Sequence, residues 1–336
     1  MTQISIIVPA YNARVCIGDC LNALTAQKGL TEPPEIIVVD DGSTDGTPEI
    51  VERYAAAGVR LLCQSNAGPG PARNTGIEAA NGEFLLFTDA DCVPDSHWAA
   101  EIVRGFTTRE IAMVMGATTT SLGFTNIYAK AQQGRDFIDV QPGPTTRYNS
   151  NNLALRRETA RTFRFDSALP RAEDSDQGWR LLEAGYQTVY WPTARVSHRH
   201  PYETRSFFRN AWAEGEGSAR LHYKHGQWVP RDLAPFVAAV GALLLAPFWG
   251  GFLWLAAFCF VLFLGALMFN ELYFKHKPFV LALQVYPVQF AWYLVKIGGY
   301  FQMIGRILLG HEPAIRASKQ AWYAERRRLR EAKRDR

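Results

Sequence analysis

Short apolar segments alternate with amphipathic segments over roughly the first ninety residues of the chain. Apolar, often β-branched runs at residues 4–8, 35–39, 59–63 and 83–87 have the length of buried strands. Between them, apolar residues recur at helical spacing and predict helices at residues 15–25, 48–57 and 71–80. This alternation predicts an α/β fold with a mostly parallel, doubly wound sheet, which binds ligands at the carboxyl ends of its strands.

The pattern is more mixed over the next part of the chain. Residues 111–120 and 190–198 have the pattern of strands, and residues 175–184 that of a helix. A charged stretch rich in aromatic residues follows at residues 203–225. We expect this stretch to pack against a membrane or to cover the ligand site.

Hydrophobic residues dominate from residue 233 to residue 309. Two apolar runs, 233–248 and 252–269, each approach the length of about 20 residues that crosses a bilayer as a helix. Their connecting turn, Trp249-Gly250-Gly251, is uncharged, and two lysines follow the second run, so the positive-inside rule predicts a helical hairpin with its turn outside. Residues 278–309 are interrupted by Pro287, Lys296 and Arg306, which favours a re-entrant or interfacial arrangement. The alternative is a buried soluble core, which the near absence of charge disfavours.

The positive charge of the chain is concentrated at its C-terminal end. Residues 316–336 carry nine Lys or Arg and three Asp or Glu, a net charge of +6, whereas the whole chain of 336 residues is only +4 and the remainder therefore −2. The sequence thus predicts no nucleic-acid-binding face, and the basic tail suits anionic lipid headgroups better. The first residues have the pattern of a strand and not of a signal peptide, so we expect the N-terminal domain in the cytoplasm. The five cysteines show no CxxC spacing, which indicates reduced thiols.

The residues after the first two strands suggest a nucleoside site. No GxGxxG follows the first strand, which argues against a dinucleotide site; Pro9-Ala10-Tyr11-Asn12 stands there instead. The ring of Tyr11 could stack on a base, or pack on the domain as an ordinary turn aromatic. A carboxylate at the end of the second strand, from Asp40 or Asp41, can accept a hydrogen bond from a base N–H.

A pair of carboxylates follows the fourth strand. Asp89 and Asp91 stand at i and i+2 directly after a buried run. Mg²⁺ and Mn²⁺ prefer oxygen ligands, and proteins commonly hold them with one or two carboxylates plus substrate phosphates. The pair therefore predicts a divalent metal site that bridges a diphosphate and neutralises the charge on a leaving nucleotide.

Six blocks occur in an order and spacing that resemble glycosyltransferase family 2, whose members have the GT-A fold. The resemblance covers residues 1–225. The blocks are Ser5-Ile-Ile-Val-Pro-Ala-Tyr-Asn12, Val39-Asp-Asp-Gly-Ser-Thr-Asp45, Asn66-Ala-Gly-Pro-Gly-Pro-Ala-Arg-Asn74, Phe87-Thr-Asp-Ala-Asp91, Asn151-Asn-Leu-Ala-Leu-Arg-Arg157 and Glu173-Asp174.

The resemblance implies a role for individual residues of this chain. It implies that Pro9, Tyr11 and Asp41 contact the nucleobase and that Arg73 bounds the donor. Asp89 and Asp91 match the DxD pair, with Asp91 as the more direct metal ligand. Asp174 matches the general base that deprotonates the acceptor hydroxyl and allows in-line displacement with inversion. Glu173 and Asp176 are alternatives for that role; they could equally be acids that stabilise a helix N-terminus.

Four further residues leave their roles open. His198 could be a metal ligand, contact the diphosphate, or be an ordinary hydrogen-bonded histidine, and His200 lies two residues further along. Arg156 and Arg157 could contact donor phosphates or line the surface.

These observations predict an inverting, Mg²⁺- or Mn²⁺-dependent glycosyltransferase. Its expected parts are a GT-A catalytic domain at 1–229, membrane-anchor helices at 230–310 and a basic cytoplasmic tail at 311–336. We expect it to move a single sugar, because residues 209–212 read Arg-Asn-Ala-Trp where processive members of the family have QxxRW. The expected donor is UDP-linked, and the acceptor a lipid-linked or envelope polysaccharide at the inner face of the cytoplasmic membrane. Alternatives are transfer to polyprenyl phosphate, a nucleotidyltransferase, and an inactive scaffold subunit.

Overall fold

The structure, a computed structural model, divides the chain into two compact units. It describes residues 3–119, 127–132, 142–145, 148–198, 203–227, 234–245, 247, 251–269, 272 and 279–334. One unit is formed by Met1–Phe124, Asp136–Pro201 and Gln320–Arg336, and the other by Thr125–Arg135 and Tyr202–Lys319. The three-part division at residues 229 and 310 stays a prediction.

The first unit is built on one mixed sheet. Its strands, among the described residues, are β1 (Ile4–Ala10), β2 (Glu35–Asp40), β3 (Val59–Cys63), β4 (Phe84–Thr88), β5 (Cys92–Pro94), β6 (Ile111–Thr119), β7 (Gly143–Pro144), β8 (Asn152–Arg156) and β9 (Gln187–His198). They lie in the order β3-β2-β1-β4-β8-β6-β9-β5, and β7 pairs with β9. β3, β2, β1 and β4 are parallel neighbours, so their carboxyl ends meet at one edge of the sheet. The α/β fold is therefore confirmed.

The other half of the sheet alternates in direction. β8 is antiparallel to both β4 and β6, whereas β6 and β9 are parallel. β5 and β7 pair with β9 in the antiparallel sense. These last two strands are only three and two residues long, too short to leave a periodic signal in the sequence.

Helices of the first unit cover both faces of this sheet. Among the described residues, the helices of the two units are α1 (Ile17–Thr25), α2 (Thr47–Glu52), α3 (Pro69–Ala79), α4 (Trp98–Arg104), α5 (Ile127–Gln132), α6 (Arg157–Thr162), α7 (Glu173–Ala184), α8 (Thr204–Lys224), α9 (Ala234–Leu245), α10 (Gly251–Phe269), α11 (Phe279–Leu308) and α12 (Pro313–Arg334), with a short 3₁₀ helix at Ala55–Ala57. Ile6 and Val8 of β1 pack with α1, α2 and α4, whereas Ile7 packs with α3, α6 and α7. The two faces of each strand thus feed two separate cores, because successive side chains point to opposite sides.

The second unit is helical. α5, α8 and α11 share a small core that contains Phe207, Val285 and Trp292. α9 packs against α10, and the rings of Phe236 and Phe263 lie 5.4 Å apart. By length and composition, α10 and α11 could each cross a membrane. α9, with 12 residues, spans only about 18 Å as described. The turn at residues 248–250 and the lysines at 275 and 277, on which the predicted hairpin depends, lie outside the described residues.

Asn152 joins three elements of the first unit from a fully buried position. Its Oδ1 accepts a hydrogen bond from Trp98 Nε1 at 2.8 Å, and its Nδ2 donates to the carbonyl oxygens of Ala117 and Ala194 at 2.7 and 2.9 Å. Gly116 makes room for this amide, because a Cβ there would overlap the Asn152 side chain. One buried amide therefore ties α4, β6 and β9 to β8.

We predict that Asn152→Ala lowers the free energy of unfolding by about 2–5 kcal/mol. The substitution leaves the buried Trp98 indole N–H without its Asn152 partner, which costs about 1–3 kcal/mol, and removes one hydrogen bond from each of two carbonyl groups, at about 0.5–1.5 kcal/mol each. Urea unfolding followed by tryptophan fluorescence would measure the change. Asn22→Ala is the matched control, because Asn22 is exposed and its side chain accepts one hydrogen bond, from the Tyr54 hydroxyl. Equal unfolding midpoints for the two variants would contradict the prediction.

Candidate active site

The loops that follow β1 and β2 are joined by hydrogen bonds. The backbone N–H of Asn12 donates to Ser43 Oγ at 2.8 Å, and the backbone N–H of Thr44 donates to Asn12 Oδ1 at 2.9 Å. Asn12 has a positive φ of 50°, which asparagine tolerates better than most residues. Tyr11, next to it, is 54% exposed, and Pro9 lies one residue before the end of β1. The structure therefore presents the Tyr11 ring at the sheet edge on a fixed loop.

Asp41 organises the loop after β3. Its Oδ1 accepts hydrogen bonds from Gln64 Nε2 at 2.7 Å and from the backbone N–H of Ala67 at 2.9 Å, and its Oδ2 accepts from the backbone N–H of Gly68 at 2.8 Å. Gly42 has a φ of 79°, and a Cβ there would lie 3.0 Å from the backbone nitrogen of Asn66. Asp41 thus lies in a nearly buried position between two strand ends, as the sequence places it.

Arg73 joins the DxD segment to α7. It lies on α3 and is only 2% exposed. Its Nη2 donates to Asp89 Oδ1 at 2.8 Å and its Nη1 donates to Glu173 Oε1 at 2.7 Å, while the guanidinium lies 5.5 Å from the ring centre of Phe165. Burial acts to lower the pKa of Arg73, but the carboxylates of Asp89 and Glu173 outweigh it and raise that pKa above its ordinary value. Arg73 is therefore a permanent cation between two acids.

Glu173 and Asp174 begin α7 side by side. Burial, with the neighbouring Asp174 carboxylate, raises the pKa of Glu173 to about 7, although Arg73 opposes the shift. Burial also raises the pKa of Asp174, although the backbone N–H groups of Ser175 and Ser150 donate to its carboxylate at 2.6 and 3.0 Å. The helix is preceded by Ala172 in the left-handed region, with a φ of 64°, where alanine costs about 1–2 kcal/mol. Backbone strain is thus located directly before the two acids.

Asp91, directly before β5, lies next to His198, the last residue of β9. His198 Nε2 lies 3.1 Å from Asp91 Oδ1, and the two atoms lie within 4.8 Å of the Cys92 sulfur. Cis ligands on an octahedral ion with bonds of about 2.1 Å are about 3 Å apart, so the carboxylate and the imidazole fit Mg²⁺ or Mn²⁺. Burial raises the pKa of the Cys92 thiol. A sulfur ligand suits softer metals, whereas Mg²⁺ and Mn²⁺ prefer oxygen ligands.

The geometry separates the sequence-predicted residues into groups. Asp91 and His198 form one pair, whereas Asp89 is turned to Arg73. Asp176 is fully buried and paired with Arg180 at 2.8 Å, so it is not available as a base. His200 lies outside the described residues.

Arg156 and Arg157 lie at the edge of the sheet where β4 begins, opposite the edge with the DxD segment, and their side chains bind backbone carbonyl groups there. Arg156 donates to the carbonyl oxygens of Ile111 and Thr108, and Arg157 donates to that of Asn81. Arg156 pairs in register with Phe84, at the start of β4, whereas the DxD segment follows the end of that strand. Their role here is to fix the sheet.

Sequence reasoning missed three contributors to the site. These are Gln64, which orients Asp41, Ser150, which donates to Asp174, and Phe165, which lies against Arg73. Gln64 directly follows β3, so its place at the carboxyl edge was a usable signal. Ser150 and Phe165 reach the site through tertiary structure that no local pattern marks.

Comparison with known proteins decides the family of this arrangement. Residues 5–168 match the sequence profile of the family described as glycosyl transferase family 2. The chain carries a glycosyltransferase family 2 domain. The matched residues contain the Tyr11 and Asp41 loops, Arg73 and the DxD segment, and end just before the helix that begins with Glu173.

Curated relatives of this family 2 domain are glycosyltransferases. The chain is 28% identical over 252 residues to the pre-mycofactocin glycosyltransferase of Mycobacterium tuberculosis, an alignment that covers 72% of this chain and 51% of that protein. It is 41% identical over 195 residues to glycosyltransferase AglE of Haloferax volcanii, which covers 56% of this chain and 64% of that protein. The chain thus spans between about half and two thirds of the length of these relatives.

Solved structures show that the family 2 domain shares its fold with known enzymes. The mannosyltransferase PcManGT of Pyrobaculum calidifontis, in complex with GDP-Man and Mn²⁺, matches with a TM-score of 0.61 at 21% identity, over 90% of this chain and 87% of that one. GalNAc-T7 with UDP, GalNAc and Mn²⁺ matches with a TM-score of 0.51 at 15% identity, over 68% of this chain and 52% of that one. The predicted GT-A fold is confirmed.

The raised pKa of Glu173 predicts a pH-dependent stability. With a folded pKa of about 7 and an ordinary value of 4.5, the folded state binds more protons than the unfolded state between these pH values. The free energy of unfolding contributed by Glu173 therefore falls as the pH rises from 4.5 to 7. Urea unfolding at several pH values should show that the free energy of unfolding falls more steeply for the wild type than for Glu173→Gln as the pH rises through this window, because glutamine does not titrate. Parallel curves for the two proteins would contradict the assignment.

Proposed function

We propose that this chain is a metal-dependent, inverting glycosyltransferase that transfers one sugar from a nucleoside diphosphate sugar to an acceptor hydroxyl. The proposal rests mainly on one observation. A single buried cation, Arg73, donates hydrogen bonds to Asp89 of the DxD segment and to Glu173 of the Glu173-Asp174 pair. The proposed donor site and the proposed acid–base site are therefore joined by one side chain.

The donor side favours particular nucleobases. Asp41 already accepts three hydrogen bonds from the protein, which fixes its carboxylate as an acceptor beside the exposed ring of Tyr11. Uracil N3 and guanine N1 carry a ring N–H that can donate to this carboxylate, whereas adenine and cytosine can donate only through an exocyclic amino group. We favour a UDP-sugar as the donor, with a GDP-sugar as the second choice. The neighbours PcManGT and GalNAc-T7 bind GDP-Man and UDP respectively.

Asp91 and His198 are the residues that would hold the cation. A divalent ion bound there supplies positive charge against the diphosphate of the leaving nucleotide. The two neighbours named above contain Mn²⁺, which supports a divalent ion without deciding between Mn²⁺ and Mg²⁺. Arg73 adds a fixed charge next to Asp89.

Asp174 is the proposed base. Its carboxylate takes the proton of the acceptor hydroxyl as the acceptor oxygen bonds to the anomeric carbon, and the bond from that carbon to the diphosphate oxygen breaks with its electrons. Two backbone N–H groups orient the carboxylate, and its raised pKa brings it closer to the working pH of a base. Glu173 is less suited, because it is nearly buried and engaged by Arg73.

The helical unit supports a membrane location. α10 has 19 residues with a mean hydropathy of 2.5 and mostly exposed side chains, which suits a bilayer better than water. We therefore place the enzyme at the cytoplasmic face of a membrane, with a lipid-linked or saccharide acceptor. Transfer to polyprenyl phosphate is the second candidate in the same family, because a phosphate acceptor needs no general base.

Asp174→Asn should lower kcat by about 10²-fold or more, the scale of lost general-base catalysis, with nucleotide affinity nearly unchanged. Release of nucleoside diphosphate from a panel of UDP- and GDP-sugars would measure kcat, and calorimetry the affinity. Asp19→Asn, at an exposed position on α1, is the control and should keep full activity. A kcat unaffected by Asp174→Asn would favour the phosphate acceptor, and lost nucleotide binding would move Asp174 to the donor site.

Asp91→Asn should abolish transfer while the protein stays folded, because the cation loses its charged ligand. EDTA should have the same effect on the wild type, and added Mn²⁺ or Mg²⁺ should restore the wild type only. Circular dichroism and the unfolding midpoint would check the fold of the variant. Full wild-type activity in EDTA would remove the metal from the mechanism.

A further inference from the structure

α8 runs along α11 in close contact. A Cβ on Gly215 of α8 would overlap the carbonyl oxygen of Lys296, and a Cβ on Gly299 of α11 would overlap that of Trp212. The two backbones therefore touch, as they do only where glycine removes the side chain. The approach lies near the middle of both helices.

The contact extends over most of α11. At one end, Phe207 of α8 shares a core with Val285 and Trp292. At the other end, Arg220 of α8 lies 3.4 Å from Glu312, which also pairs with Arg306 at 2.8 Å. Between them, Lys296 lies 3.8 Å from Glu214. α8, with 21 residues and a length of about 32 Å, thus accompanies α11 over about two thirds of its 30 residues, or about 45 Å.

The charged residues of α8 argue against α11 crossing a bilayer. Besides Glu214 and Arg220, α8 carries Arg205, Arg209 and Glu216. If α11 crossed a bilayer, its companion would enter the hydrocarbon with these charges, where ionised side chains are strongly disfavoured. α11 is therefore apolar and long enough to cross, but its partner helix keeps it out of a crossing position.

The face of α11 away from this core is an apolar stripe. Val280, Leu283, Leu294, Phe301 and Leu308 are each 40–66% exposed. Their spacing of 3, 11, 7 and 7 residues puts them on one side of the helix. An amphipathic helix with one apolar side is the form that lies in the plane of a membrane surface.

Polar and aromatic side chains border this stripe. Trp212 of α8 packs against Gly298 and is still 39% exposed, and Arg205 and Arg209 lie on the same exposed side of α8 at helical spacing. Tryptophan and arginine are favoured at the level of lipid headgroups, and the two cations complement anionic phosphates.

A contact with α10 indicates how deep α11 would lie in the membrane. Tyr286 of α11 donates a hydrogen bond to the carbonyl oxygen of Leu264 in α10, at 2.8 Å. Leu264 lies five residues before the end of α10 at Phe269, which is about 7.5 Å along the helix axis. Helices in the membrane interface are buried to about 5–10 Å, so this contact puts α11 at that depth if α10 crosses.

We propose that α11 lies in the plane of the membrane interface, with its apolar stripe against the acyl chains of an anionic phospholipid surface and the Arg205, Arg209 and Trp212 rim at the headgroups. The proposal rests on the membrane attachment by α10 proposed above. Of the re-entrant and interfacial arrangements that the sequence allowed for residues 278–309, the proposal selects the interfacial one. It also puts the start of α12 on the same side of the membrane as the end of α10.

Depth-dependent fluorescence quenching tests this arrangement. Single cysteines at Leu283, Leu294 and Phe301, each labelled with a small environment-sensitive dye, would be placed in the full-length protein in vesicles of phosphatidylcholine and phosphatidylglycerol. Cys16, Cys63 and Cys259 would be replaced in all variants, whereas Cys20 and Cys92 are fully buried and can stay. Phe258→Cys is the control, because it is 61% exposed near the middle of α10.

The proposal expects lipid nitroxides near the headgroup to quench all three α11 positions severalfold more than nitroxides near the chain end, with nearly equal ratios. The control should show the reverse ratio. Deepest quenching at Leu294 with shallower values on both sides would show a crossing helix and overturn the proposal. Quenching at Phe258 but at none of the three would show that protein, such as a second copy of the chain, covers the stripe. An unquenched Phe258 and unquenched α11 would remove the membrane attachment as well.

Discussion

The buried guanidinium of Arg73 is the interaction on which the arrangement of the site depends. A cation with 2% exposure is unstable in a protein interior unless acids neutralise it, and here Asp89 and Glu173 both do so. Removing one partner of such a group typically costs about 3–5 kcal/mol, because the charge left behind stays buried. The same condition that keeps the protein folded therefore keeps the DxD segment next to α7. Asp174, the other acid of the α7 pair, feels the charge of Arg73, but its carboxylate accepts its hydrogen bonds from the backbone of Ser150 and Ser175.

The parallel half of the sheet and the residues at its carboxyl edge could be predicted from the sequence. The runs at residues 4–8, 36–39 and 84–87 are buried on both faces, so they are almost entirely apolar and easy to recognise. The edge strand at 59–63 is partly exposed and contains Arg60, but its other residues are still apolar. Tyr11, Asp41 and Asp89 follow these strands directly, and their positions needed only chain order. His198 ends a longer strand than the pattern suggested, and the structure brings it to Asp91.

The rest of the site depends on contacts that no local pattern contains. Arg73 was expected to bound the donor, but its partners are set by where α7 docks on the sheet. Arg156 and Arg157 belong to a recognisable block, yet the antiparallel direction of β8 carries them to the far edge. In the helical unit, hydropathy treats α11 as a crossing helix because it does not register which neighbour lies against it. The ion pairs with α8 are visible only in three dimensions.

The contact between Arg73 and Glu173 also joins residues 100 positions apart in the chain. Contacts of such separation close a long loop, so they form late compared with the local β-α-β units around them. During synthesis, residues 1–92 leave the ribosome with the nucleotide loops and Asp89 complete, while Glu173, the second acid that neutralises Arg73, has yet to be made. Docking of α7 brings the second acid to the cation and adds Asp174 beside it. The proposed acid–base site therefore cannot be complete in a nascent chain until α7 has been made.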